Sequence, residues 1–177
     1  SVSVTSENNK TITLTDTSNA FGTTDNDAGR VDLSTQGTSG HVTLVQGDGN
    51  GYLTFDASEV RGNLTVTTGT DGRVRQTGIL TVDGTTDINA DDKNQNVLLN
   101  SYENVLTGAV SLECHNCRVT NSKALELGTF NAKAMRATAR GAITQSAASV
   151  ITVTNNAAEF TAQSSDTNTK YDITLEN

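Results

Sequence analysis

Residues 62–90 read GNLTVTTGTDGRVRQTGILTVDGTTDINA. Leu64 and Val66 alternate with Thr65 and Thr67. Val74, then Leu80 and Val82, then Ile88 and Ala90 keep the same two-residue beat between Gly, Asp and Thr clusters. Such alternation predicts short, half-buried strands separated by turns. No 3.6-residue period of a helix is present. The stretch recurs at residues 134–162, AMRATARGAITQSAASVITVTNNAAEFTA. Leu64 matches Met135, Val74 matches Ile143, Gln76 matches Gln145, Val82 matches Val153 and Ile88 matches Phe160. A recurring block of strands points to a repetitive scaffold.

The pattern extends in both directions. Val2 and Val4 open the chain, followed by Ile12 and Leu14 in TITLTD, Val31 and Leu33 in RVDLS, and the strands HVTLV and YLTF. After Ala90 the series restarts. Val97 and Leu99 answer Ile12 and Leu14, Val110 and Leu112 answer Val31 and Leu33, and Leu125 and Leu127 answer Leu53 and Phe55. Ile173 and Leu175 in DITLEN repeat the Ile12 and Leu14 pair a third time. The expectation is one elongated domain over residues 1–177, with internal repeats at about 11–96 and 97–177.

Composition narrows the architecture. Only 34% of the 177 residues are hydrophobic, with four Phe, three Tyr and no Trp, too few for a wide spherical core. A thin core needs less, because Val, Leu, Ile and Ala stack in rows along a solenoid. Proline is absent, which suits strands paired on both sides, where every N–H is needed. A parallel β-helix satisfies these constraints. The alternatives are a β-sandwich subunit or tandem sandwiches, but no linker divides the repeats and no buried Trp or inter-sheet Cys pair is available. The expectation is therefore all-β, a β-solenoid.

Net charge of −8 excludes nucleic-acid binding, which needs a basic footprint, and electrostatic attachment to anionic lipid. No run is long enough for a transmembrane helix, so membrane insertion is not expected. Ser1 leads directly into SVSVTS without a signal peptide, so a secreted protein would be in mature or excised form here.

GNLTVTTG, GAITQSAASVITVTNNAAEFTA and DITLEN resemble repeats of filamentous haemagglutinin-type adhesins and other giant β-strand-repeat bacterial surface proteins. The likeness runs from about Thr11 to the end and rests on strand pairs and small-residue turns. It implies a secreted, right-handed β-helix serving attachment or cell-surface structure. The insert GTTDNDAG at residues 22–29 and the two cysteines depart from that pattern.

Cys114 and Cys117 form a CxxC around His115. Zinc would need two more ligands, and a redox motif would need a βαβ setting. A disulfide pinning a turn in an oxidising compartment is the expected reading, with free or intermolecularly paired thiols as the alternative. The turns carrying Asp25 and Asp27, and Asp48 and Asn50, offer oxygen ligands for calcium. Turn chemistry accounts for them without a metal, since Leu53 replaces the glycine an EF-hand loop would need and the calcium nonapeptide is not met. No cofactor is otherwise called for. Arg73, Arg75, Arg136 and Arg140 flank matching strands as solvated residues or as a basic stripe. No GxSxG, P-loop or HExxH is present, and no catalytic role is expected.

The functional expectation is an extracellular or cell-surface structural or adhesive solenoid segment, assembling end to end. Val2, Val4, Ile12, Leu14, Ile173 and Leu175 are the expected interface. Partners would be head-to-tail copies or flanking repeats of a longer chain, together with a cell-surface or glycan ligand. The alternatives are a polymerising subunit that donates its N-terminal strand, or a carbohydrate-processing β-helix enzyme with Asp, Glu and Arg clustered on one sheet.

Overall fold

The computed structural model describes residues 1–21, 30–47, 51–90, 95–155, 157–164 and 169–175. Among these residues every regular element is a strand and every strand pairing is parallel. The chain is a β-solenoid of about six turns.

The first rung holds β1 (Val2–Asn8) and β2 (Ile12–Leu14), and the second holds β3 (Arg30–Gln36) and β4 (Val42–Gln46). From there each turn has three short strands. They are β5 (Tyr52–Phe55), β6 (Ser58–Val60) and β7 (Leu64–Thr68), then β8 (Arg73–Gln76), β9 (Leu80–Val82) and β10 (Thr86–Ala90). The next rung has β11 (Val97–Leu99), β12 (Val105–Leu106) and the start of β13 (Val110–Asn121). Both β13 and β14 (Leu125–Ala139) run continuously around corners. β15 (Ile143–Gln145), β16 (Ile151–Val153), β17 (Ala158–Ala162) and β18 (Ile173–Thr174) complete the stack.

Three faces result. On a threonine face β2, β4, β7, β10, the start of β13, the middle of β14, and β16 lie in order. On an arginine face β5, β8, β11 and the later halves of β13 and β14 lead to β17. A third face carries β6, β9, β12, the start of β14, β15 and β18. β3 spans the arginine and third faces, and β1 pairs along it from Val2↔Val31 to Asn8↔Gln36.

Alternation explains the core. In β3 and β4 every second residue is buried, and the inward residues of successive rungs stack in columns. Leu44, Val66, Ile88, Leu112, Phe130 and Ile151 make one such column, and Leu53, Val74, Val97, Cys117 and Met135 another. Each large aliphatic chain withdrawn from water this way contributes about 1.5–3 kcal/mol. The parallel ladder and the single continuous core exclude the sandwich alternatives. β1 is paired with β3 of its own chain along one edge.

The long repeat read in the sequence has a geometric meaning that alternation alone does not reveal. Its matched residues do not stack on one another; they lie one face apart. Leu64 is on the threonine face and Met135 on the arginine face. Val74 is on the arginine face and Ile143 on the third face. Ile12, Val97 and Ile173 step through all three faces in turn. The stacking repeat is the single rung, 22 residues from Val42 to Leu64 and again from Leu64 to Thr86.

Close approach between rungs selects glycine where the third face turns into the threonine face. Gly84 N–H donates to the Gly62 carbonyl at 3.0 Å, and Gly108 N–H to the Gly84 carbonyl at 3.2 Å. A Cβ on Gly84 would lie 2.7 Å from the Gly62 carbonyl carbon and 2.2 Å from Asn63 Oδ1. Backbone cannot yield as a flexible side chain can. Gly84→Ala should therefore destabilise the fold by about 1–3 kcal/mol, the usual range for overpacking, as measured by urea unfolding.

Candidate functional surfaces

Each corner is closed by polar side chains. Where the threonine face meets the arginine face, Thr68 Oγ1 donates to the Gly72 carbonyl at 2.8 Å. One rung on, the Gln95 amide donates to Asp71 at 3.1 Å and accepts from Arg73 Nε at 2.9 Å. In the next rung the same corner carries the CxxC. Cys114 and Cys117 are both buried and joined by a disulfide. Their Cα atoms are 5.7 Å apart, whereas a straight strand would place them about 10 Å apart. The chain therefore turns at His115 and Asn116, and His115 N–H donates to the Gln95 carbonyl at 2.6 Å. The bridge closes a short loop, so its removal should cost at most about 2 kcal/mol. Denaturant curves of the wild type and of Cys114→Ala/Cys117→Ala would check this.

Where the arginine face meets the third face, buried amides do the work. Asn104 Oδ1 accepts from Leu80 N–H at 3.0 Å and from Gln76 Nε2 at 2.8 Å, while its Nδ2 donates to Gln76 Oε1 at 2.8 Å. Asn121 Oδ1 accepts from Leu106 N–H at 2.8 Å and its Nδ2 donates to the Ala124 carbonyl at 2.7 Å. Sequence reasoning missed both asparagines, because an isolated Asn in a strand-rich chain reads as a turn residue.

The threonine face presents a shallow groove of about 460 Å³. Thr65, Asp87 and Ser111 line it in one outward column, with Asn89, Glu113 and Asn131 beside them. Asn131 Nδ2 donates to Glu113 Oε1 at 3.0 Å. Partial burial and then the nearby Glu113 charge raise the Asp87 carboxyl above its ordinary 3.8. Neither carboxylate stood out in the sequence, where they are separated by 26 positions. Ionising Asp87 costs more in the fold than in the unfolded chain. That cost is present in full above its folded value and disappears below 3.8. Asp87→Asn should accordingly raise the melting temperature at neutral pH, with the gain shrinking to nothing as acid titrates the wild-type carboxyl.

The arginine face carries an outward column running Arg30, Thr54, Arg75, Leu98, Arg118, Arg136 and Glu159. Arg75 sits over the Tyr52 ring at 4.2 Å and Arg73 reaches the same ring at 5.3 Å. Arg140, at the edge of the face, lies 5.5 Å from the Tyr102 ring. The stripe thus gathers Arg73, Arg75, Arg136 and Arg140 and adds Arg30 and Arg118. Only Arg61 of the seven arginines is elsewhere, paired with Glu59 and, at 3.1 Å, with Asp83. Arginines and the Asp87–Glu113 pair therefore occupy different faces.

The other expected sites divide clearly. Asp25, Asp27, Asp48 and Asn50 lie outside the described residues. Ile12 is buried in the core, whereas Val2, Ile173 and Leu175 are exposed and Val4 and Leu14 are half-buried at the solenoid ends.

A family characterised as repeats of unknown function (DUF5649) matches residues 39–113 and 115–177. The chain belongs to this family. Its frame differs from the 11–96 and 97–177 read from the sequence, and it carries the same rotation. The first unit begins at the corner entering the threonine face, and the second at the corner entering the arginine face. The family supports a repeat-type β-helix and does not identify filamentous haemagglutinin-type proteins. No curated protein and no solved structure matches the chain.

Proposed function

We propose that the chain is a non-catalytic structural segment in a secreted or cell-surface setting, its end rungs stacking on a further rung supplied by a second copy or by flanking repeats of a longer chain. What carries this reading is the uninterrupted parallel ladder, which any further rung of the same cross-section can extend. Interior columns are fully buried, yet Val2 and Ile173 are each 44% exposed and Val150 is 53% exposed. Among the described residues no other element covers the outer edges of β1 and β2, or of β16, β17 and β18. Such edges are sticky unless covered.

A second copy fits the gap because all strands are parallel and both ends present the same three faces. β16 would meet β2 on the threonine face, while β17 and β18 would meet the two halves of β1. The contact is heterologous and propagates as a filament. The disulfide and the acidic surface favour an oxidising, extracellular compartment. The filamentous haemagglutinin-type likeness agrees with that setting. Separation of the arginines from Asp87 and Glu113 speaks against a β-helix lyase with an arginine base, which needs its arginine and carboxylates on one sheet.

Electron microscopy of the purified chain across a concentration series tests the proposal. Rods lengthening in multiples of one solenoid are expected, and Val4→Lys/Ile173→Lys should leave only single rods. Single rods of wild type at every concentration would overturn stacking between copies.

A further inference from the structure

We infer that the arginine face binds an extended, polyanionic glycan carrying sulfate or carboxylate groups. This goes beyond end-to-end stacking and does not depend on it. Arg118 and Arg136 stand on adjacent rungs, about 4.8 Å apart at the backbone. Arg75 is two rungs further along the same column. Arg118 is exposed, and among the described residues it has neither a hydrogen-bond nor an ion-pair partner. Arg136 contacts Glu159 at 2.6 Å, a pair open to solvent that an incoming anion can exchange. Shallow grooves of about 170 Å³ each lie on both sides of Arg118. One is lined by Asn100, Tyr102 and Thr138, the other by Asn116 and Glu159.

The column is not a by-product of the repeat. Arg75 matches Thr144 in the second copy of the stretch, and Arg136 matches Thr65 in the first. Because matched residues lie one face apart, duplication alone would scatter arginines over different faces. Six of seven instead converge on one, in a chain of net charge −8.

Guanidinium groups bind sulfate and carboxylate through paired N–H donors. The amide and hydroxyl side chains between them match the hydroxyls of a sugar chain. A nucleic acid fits less well, because Tyr52 and Tyr102, the rings on which bases would stack, are already covered by arginine. A peptide strand fits less well too, since the interior strands of this face are paired on both sides and offer no free edge.

Calorimetric titration of the full chain with dextran sulfate, polygalacturonate, neutral dextran and single-stranded DNA tests the inference. Binding of at least one acidic polysaccharide, weakening with salt, is expected, with none to neutral dextran. The acidic polysaccharide that binds identifies sulfate or carboxylate as the recognised group. Arg118→Glu/Arg136→Glu should weaken binding about tenfold or more, and Arg118→Lys, which keeps the charge but loses the fork, by less. Circular dichroism confirms that each variant is folded, and Arg118→Lys alone decides the matter if the double variant is not. The inference is overturned if neither polyanion binds, if the variants bind like wild type, or if DNA binds as tightly as the polysaccharides. Because single rods suffice for the titration, failure of end-to-end stacking leaves this result readable.

Discussion

Parallel backbone pairing between successive rungs is the constraint on which the rest of the molecule depends. Each strand must lie directly above its predecessor, so every turn must close on nearly the same cross-section. That cross-section is narrow, and aliphatic residues fill it in columns. Turns can absorb insertions without disturbing the stack. Ile12 to Val42 spans 30 residues, whereas Cys117 to Met135 spans 18, yet both pairs are in register. The corners are where the closure is hardest, because backbone groups leave the ladder there. Thr68, Asn104 and Asn121 supply hydrogen bonds at those points, and glycines such as Gly78, Gly84 and Gly108 permit close approach.

The strands were legible in the sequence because their signal is local. Leu64, Val66, Leu80, Val82 and Ile88 declare an inward side without reference to any neighbour. The absence of proline agrees with a structure in which nearly every N–H is used. Groupings between rungs were not legible. Arg75, Arg118 and Arg136 are 43 and 18 positions apart, and only the register places them in one column. Asp87 and Glu113 meet for the same reason. The CxxC was read correctly as a local bridge, since three residues suffice to recognise a turn pinned by sulfur. Its place at a corner depends on the stacking and could not be seen beforehand.

The one-face rotation between repeats explains features that look unrelated. An inward position must serve the threonine face in one unit and the arginine face in the next. Residues that tolerate both settings are small or aliphatic, and this is the composition the core has. Phe55 on the arginine face matches Leu127, which pairs with β15 at the end of the third face, and Ile88 on the threonine face matches Phe160 on the arginine face. Volume at a given repeat position is therefore adjusted to the rung it enters.

Outward positions obey the opposite logic. Simple repetition would carry any surface residue around the axis, one face per unit, and no long binding face would form. A face of uniform chemistry must be assembled from positions that the repeat does not relate. The arginine column meets that description, with Arg75 in the first unit, Arg118 and Arg136 at unrelated points of the second, and Arg30 ahead of both. The threonine column of Thr13, Thr43 and Thr65 does not persist; Asp87 and Ser111 take it over on the next two rungs. The internal repeat thus accounts for the inward half of each strand and the path of the chain, while the outward half varies from rung to rung.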